Sequence, residues 1–254
     1  REYLDLAALA MGGVTAVPVY RRPRVAFFPT GSELVPVGAP VTRGKNIDSN
    51  SLLAREMLRE MGAQPLCHPV VPDRPEALER ALETGLAEAD VVILNGGSSK
   101  GEEDFNARLL EREGQVICHW LSAGPGRPMC IALVRGKPVN LSGPSMAAFY
   151  GLDWCIRPIV ARLLGLPAAR RQRVSGVLAE DLHCPPSLDF LCRMNVRPAP
   201  GGGYTLHPVP FKTASLPLCM GSNATFVSPI GEGPYPKGTV LEVELLRDES
   251  LLDR

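Results

Sequence analysis

The sequence predicts an α/β chain with a doubly wound, mainly parallel sheet flanked by helices, followed by a small C-terminal all-β barrel. Three observations lead there. Up to Gly165, apolar strand-like runs alternate with amphipathic helical patterns, the signature of βα units that build a parallel sheet. After Gly165, short alternating runs lie among many prolines and glycines, with no long helical pattern. At 254 residues the chain has room for roughly one to two domains and a sizeable core. The expected organisation is an N-terminal connecting segment over 1–22, an α/β domain over 23–165 and a β-barrel domain over 170–254, with 166–170 as linker.

The elements follow in order. Residues 1–20 begin helix-like and end in an extended connection. A short apolar strand spans 24–29 and runs into the turn Thr30-Gly31-Ser32-Glu33. Asn50 or Ser51 is suited to cap a helix over 52–61, whose apolar residues at 53, 57, 58 and 61 form one face, and Gly62 stops it. A strand over 64–71 and a helix over 75–86 come next, with Asp73 near the helix start. The third strand is 91–94 and the third helix 104–112. Strands at 115–121, 129–134 and 139–141 precede a long helix from Gly143 to Leu164. Pro144 suits its first turn, and Pro158 is expected to kink it. Barrel strands are expected at 173–178, 190–196, 204–209, 224–228 and 240–246.

Charge excludes several functions. Lys and Arg together number 27, as do Asp and Glu, so no polyanion-binding surface is indicated and nucleic acid is a poor partner. No run approaches the roughly 20 apolar residues of a membrane span. Arg1 is not a natural start, and a fragment or processed chain is expected. The seven cysteines are odd in number and lack CxxC spacing. They read as reduced, mostly buried thiols of a cytoplasmic protein. His183, Cys184 and Cys192 come nearest to a metal cluster but lack the paired spacing of a zinc site.

Any anion site must therefore be local. In VVILNGGSSKGEED a buried strand runs into a glycine-rich turn that opens a helix, exposing backbone N–H groups at its positive end. Gly96 and Gly97 permit positive φ and close approach of a ligand. Ser98 and Ser99 add hydroxyls, and Lys100 adds a charge. Ordinary helix capping explains the same residues. Asp104 is stabilised by the helix dipole there, or supplies an oxygen ligand for Mg²⁺. Glu33 is an exposed loop acid, or an acid that coordinates a metal or orients a hydroxyl. Asp48 reads first as a helix cap. Arg127, between Gly126 and Pro128, suits bidentate oxyanion contact or marks a structural turn. Leu141-Ser142-Gly143-Pro144-Ser145 is a second strand-to-helix turn, either a ligand site or simple helix initiation. The turns after the first and third strands leave the same sheet edge, where ligands of such sheets sit. Turns, hydroxyls, acids and one or two bases suit phosphate or oxyanion handling better than acyl or hydride transfer.

In this order and spacing, PTGSEL, DSNS before a helix, GGSSKGEEDF after a strand, PGRP, and a long helix ending RPIVARLLG resemble the molybdopterin molybdenumtransferase family, which includes the C-terminal domain of gephyrin. The resemblance implies insertion of molybdate into adenylylated molybdopterin, with Mg²⁺ assisting and AMP released. Glu33 matches the acid of a TGDEL-like turn. Gly97, Ser99, Gly101 and Asp104 match a GGxSxGxxD loop, and Pro125, Gly126, Arg127 and Pro128 match PGKP. Glu33, Asp104 and Arg127 become the implied catalytic residues, the two acids holding Mg²⁺. Thr30, Gly31, Gly96, Gly97, Ser98, Ser99, Gly101, Pro125, Gly126, Ser142 and Gly143 become the implied ligand-binding set. Implied partners are a second copy of the chain, the molybdopterin adenylyltransferase and acceptor molybdoenzymes.

Three departures accompany the match. Gly124 stands where the family usually has lysine, Ser142–Ser145 replaces a PGNP-type turn, and Lys100 replaces an apolar residue. The family's two N-terminal domains are absent from these residues, save for what 1–20 supplies. Two other functions remain open on these grounds: a molybdopterin adenylyltransferase, and a non-catalytic module that binds molybdopterin or molybdate for regulation.

Overall fold

The computed structural model describes residues 3–96, 105–125, 127, 129–143, 146–168, 170–209 and 219–252. The first part is a six-stranded sheet built from β1 (Arg24–Pro29), β4 (Gln64–Cys67), β5 (Val91–Asn95), β6 (Gln115–His119), β8 (Met129–Val134) and β9 (Lys137–Ser142). Its order is β4-β1-β5-β9-β8-β6. The first four strands run parallel, β8 is antiparallel to β9, and β6 is antiparallel to β8. Helices α2 (Asn50–Glu60), α3 (Pro75–Glu88) and α4 (Phe105–Glu113) connect these strands, and a ribbon of β2 (Leu34–Val35) and β3 (Asn46–Ile47) lies between β1 and α2.

The central strands β1 and β5 are buried on both faces, as a parallel sheet with helices on each side requires, whereas the edge strands β4 and β6 are partly exposed. Alternation divides β1 and β5 between two cores. Ala26, Phe28, Val92 and Leu94 join Leu78 and Leu82 of α3 and Leu109 and Leu110 of α4. Val25, Phe27, Val91 and Ile93 face Ala54, Met57 and Leu58 of α2 and Leu152, Ile156 and Val160 beyond β9. Each fully buried Leu, Ile, Val or Phe contributes about 1.5–3 kcal/mol. These central strands therefore hold the sheet edge rigid.

The helix expected from Gly143 to Leu164 is α5 (Met146–Tyr150), a π-helical stretch over Gly151–Ile156, and α6 (Arg157–Leu163). Pro158 lies in the first turn of α6. With no N–H to give residue 154, it fits a helix start better than a kinked interior. Strand 64–71 also shortens to β4, and only Val71 bridges back, to Thr30. At the N-terminus, α1 (Tyr3–Met11) buries none of its residues.

The second part is a closed barrel of β10 (Arg173–Leu178), β14 (Val240–Leu245), β13 (Ala224–Ser228), β11 (Asp189–Pro198) and β12 (Tyr204–Pro208). Phe190, Cys192, Met194 and Val196 of β11 fill it with Leu178, Leu206, Val243 and Leu245. The stretch between β6 and β8 contains β7 (Ala123–Gly124), which pairs in parallel with Asp189 and Phe190 of the barrel. No described helix is long and apolar enough to cross a membrane.

Candidate functional site

The carboxyl ends of β1, β5 and β9 meet around one side chain. Asn95, the last residue of β5, is 2% exposed. Its Nδ2 donates to Ser142 O (3.0 Å), Ser142 Oγ (3.0 Å) and Gly143 O (2.9 Å), and its Oδ1 accepts from Asn50 Nδ2 (2.7 Å). Backbone bonds tighten the join: Thr30 N donates to Asn95 O at 2.8 Å, and Gly96 N to Ser142 O at 3.0 Å. The three turns and the start of α2 are thus held as one unit. Asn50 was expected to cap α2. It lies inside the helix, Ser49 occupies the cap, and the Asn50 amide reaches across to β5. Ser51, the other expected cap, is also helical. Asp48 accepts from Ser51 N at 3.0 Å and from Ser51 Oγ, the capping role read for it.

Close approach to backbone makes glycine necessary at Gly96, and a positive φ favours it at Gly31. Gly96 has φ +140°, and a Cβ there would overlap the Thr30 carbonyl oxygen. Gly31 has φ +151°, and a Cβ there would lie 2.6 Å from Glu33 Oε2. The Glu33 carboxylate therefore folds back over Gly31, yet it takes no hydrogen bond or ion pair from a described residue. Its turn is braced from behind. Ser32 N donates to Asp73 Oδ2 (2.9 Å), Asp73 N to Ser32 Oγ (3.2 Å), and Lys45 Nζ to Ser32 O (2.7 Å). Asp73 is a brace for this turn rather than a cap of α3, whose cap position is Arg74.

Arg127 enters at the same edge, because Met129, two residues on, pairs with Ser142. Its guanidinium lies 5.6 Å from the Trp120 ring centroid and has no carboxylate partner among the described residues. Pro125 follows the buried Gly124 of β7. A Cβ on Gly124 would make an ordinary 3.4 Å contact with Leu188. Thr30, Gly31, Glu33, Gly96, Ser142, Gly143 and Arg127 thus share one edge of the fold, while Pro125 is placed by the pairing of β7 with the barrel. Gly97, Ser98, Ser99, Lys100, Gly101, Asp104 and Gly126 lie outside the described residues.

Two buried polar atoms at this edge have no partner among the described residues: Thr30 Oγ1 and Asn50 Oδ1. A second set lies between α5 and the barrel, comprising Tyr150 Oη, Arg193 Nη1 and Thr225 Oγ1. Arg193 and Thr225 are opposite on β11 and β13, and Arg193 lies 4.7 Å from the Phe149 ring centroid while donating to Ser222 Oγ at 2.9 Å. Burial depresses the Arg193 guanidinium and pushes Tyr150 up to about 12.

Among the described residues no group of three or more His, Cys, Asp or Glu could hold a metal ion, His183 and Cys184 included. All seven cysteines are free, but only Cys130 and Cys192 are buried and Cys67 is exposed. The mostly buried set expected for them is corrected accordingly. A cavity of about 810 Å³ lies elsewhere, beside the π-helical stretch, lined by Asp153, Trp154, Arg157, Arg170, Arg171 and Arg173 among others. Three of those arginines already hold carboxylates.

The fold is a mainly parallel α/β layer joined to a β-barrel. The family described as "Probable molybdopterin binding domain" matches residues 26–162. The chain belongs to this molybdopterin-binding domain family. A molybdopterin molybdenumtransferase of Nostoc is 34% identical over 167 residues, covering 64% of this chain and 38% of the relative. Those of Staphylococcus epidermidis and Bacillus subtilis are 29% and 28% identical, each covering 96% of this chain and 59% and 57% of the relative. The chain thus spans about three fifths or less of these relatives. Among solved structures, a molybdopterin biosynthesis moeA protein from Pyrococcus horikoshii shares the fold with a TM-score of 0.82 at 23% identity, over 98% of this chain and 60% of that one.

Proposed function

We propose that this chain forms the ligand-binding part of a molybdopterin molybdenumtransferase, which inserts molybdate into adenylylated molybdopterin and releases AMP. The observation that carries the reading is the clamped carboxyl edge. One buried amide locks the turns after β5 and β9 to the start of α2, and leaves polar atoms there without partners among the described residues. The family match and the names of relatives that cover nearly all of this chain give that edge its ligand class.

The residues divide the work by their chemistry. Glycine turns and hydroxyls at Thr30, Gly31, Gly96, Ser142 and Gly143 hold the pyranopterin and its phosphate, joined in this reading by Gly97, Ser98, Ser99, Gly101, Pro125 and Gly126. Arg127 carries a charge that no described carboxylate neutralises, so it is available to stabilise negative charge developing as AMP departs. The donor chemistry also fits Mg²⁺. That ion takes one or two carboxylates with substrate phosphates, and Glu33 is an uncommitted carboxylate at the edge. Glu33 and Asp104 would hold it, and the ion would supply neutralisation of phosphate charge. The homodimer, the adenylyltransferase and the acceptor molybdoenzymes belong to the same proposal.

The test is incubation of the protein with adenylylated molybdopterin, Mg²⁺ and molybdate, following AMP release and cofactor formation. Molybdate-dependent release is the expected result. Tight binding of the nucleotide with no release would favour a non-catalytic binding module, the reading that Gly124 and the altered Ser142 turn support.

A further inference from the structure

Asn95 fixes the orientation of a second amide by elimination. Its side-chain nitrogen lies 3.0 Å from Ser142 O and 2.9 Å from Gly143 O, and a backbone carbonyl only accepts. That atom must therefore be the donor, and Asn95 Oδ1 the acceptor. Asn50 meets Oδ1 at 2.7 Å and must present its own nitrogen there, because the flipped amide would set oxygen against oxygen. Asn50 Oδ1 is then an acceptor that cannot become a donor, and it is buried with no partner among the described residues. On the other side of Asn95, Thr30 Oγ1 is equally unpartnered in a residue 1% exposed. It lies beside Gly96, where a Cβ would come within 2.5 Å of it. Buried polar atoms left alone are costly, and both are accounted for when a ligand completes them.

We infer that Asn50 is a specificity-determining residue whose Oδ1 accepts a hydrogen bond from an N–H of the bound heterocycle, while the Thr30 hydroxyl meets a second polar atom of the same ligand. The inference rests on the molybdopterin reading and names the part of that ligand held here. A phosphate offers only acceptor oxygens and would face the Asn50 oxygen unfavourably. The amino and lactam N–H groups of a pterin supply the donor that the fixed amide requires. A site of this kind selects strongly, because an analogue without the donor leaves the protein's own buried acceptor unpaired.

Calorimetric titration tests this with three probes: molybdopterin, pterin-6-carboxylate, and the 2-dimethylamino-3-methyl analogue of that pterin, which lacks both N–H donors. The wild-type protein is expected to bind the parent pterin at least about tenfold more tightly than the methylated one. Asn50→Ala, checked for folding by its melting transition, is expected to bind the two within about twofold while losing affinity for the parent. Three results overturn the inference while leaving the molybdopterin reading standing: molybdopterin bound with no preference between the pterins, molybdopterin bound with neither pterin, or a preference that survives in Asn50→Ala. Failure to bind molybdopterin at all removes both. If Asn50→Ala does not fold, the wild-type comparison of the two pterins decides.

Discussion

Two buried polar clusters, one around Asn95 at the end of β5 and one around Asp153 in the π-helical stretch, are built on opposite terms. At Asp153, in the π-helical stretch, every charge is met. The carboxylate side chain is 2% exposed and accepts from Arg157 Nε at 3.0 Å and from both terminal nitrogens of Arg171, while Arg157 also reaches Glu60 at 3.1 Å. At Asn95 the amide itself is saturated, but its neighbours Thr30 and Asn50 each keep an oxygen with no partner among the described residues. A closed polar network holds chain segments together, here the helix to the linker that leads into the barrel. An open one leaves places for another molecule. The 810 Å³ cavity beside Asp153 shows that volume alone does not separate the two, whereas the accounting of donors and acceptors does.

Three substitutions would break or sharpen that contrast. The largest effect on stability is expected from Asp153→Ala, which leaves two guanidinium groups without their shared carboxylate. Urea unfolding should show a loss of about 3 kcal/mol, with ligand affinity of the folded protein unchanged. A loss below about 1 kcal/mol would mean that the clamp is no brace. Gly96→Ala should behave in the reverse sense. Strain at φ +140° and the clash with Thr30 cost about 2 kcal/mol, but the main expected loss is ligand affinity, at least about tenfold by titration. Unaltered affinity would separate the Gly96 turn from the site.

The smallest effect concerns an exposed closed pair. Asp90 accepts two bonds from Arg21, at 2.7 and 2.6 Å, and one from Arg24 N at 2.8 Å. The Arg21 hydrogen bonds, aided by the Arg24 N–H, hold the Asp90 carboxyl below its usual range against opposition from burial. A depressed folded value means the stabilisation is complete above the unfolded carboxyl value, about 3.9, and fades as pH falls through the folded value. At neutral pH, Asp90→Asn should lower Tm by roughly 2 °C. The gap to wild type should narrow as the pH is taken below about 4. A constant gap across that range would remove Asp90 as its source.

Most of the fold was legible because it is written locally. The alternation of Val25 and Phe27 against Ala26 and Phe28 marks a strand buried on two faces, and the barrel strands show the same period. The site was legible in its turns, since glycine at 31 and 96 answers a backbone demand visible in a short window. What escaped was contact over distance. Asn50 looks like a cap because its local neighbours are those of a helix start, and its bond to a residue 45 positions on leaves no trace there. Asn95 carried a usable signal, a lone polar residue closing the apolar run VVILN. The π-helical stretch and the pairing of Ala123 with the barrel are consequences of packing, with no local pattern to announce them.

That last pairing changes how the two parts of the molecule are to be regarded. Ser122 O accepts from Asp189 N at 2.7 Å, β7 lies along β11, and five residues after β7 the chain has returned to the other sheet at Met129. The loop bearing Arg127 is therefore held by the barrel at one end and by the sheet at the other. A cut through 166–170 would leave the barrel tied to the sheet by this pairing.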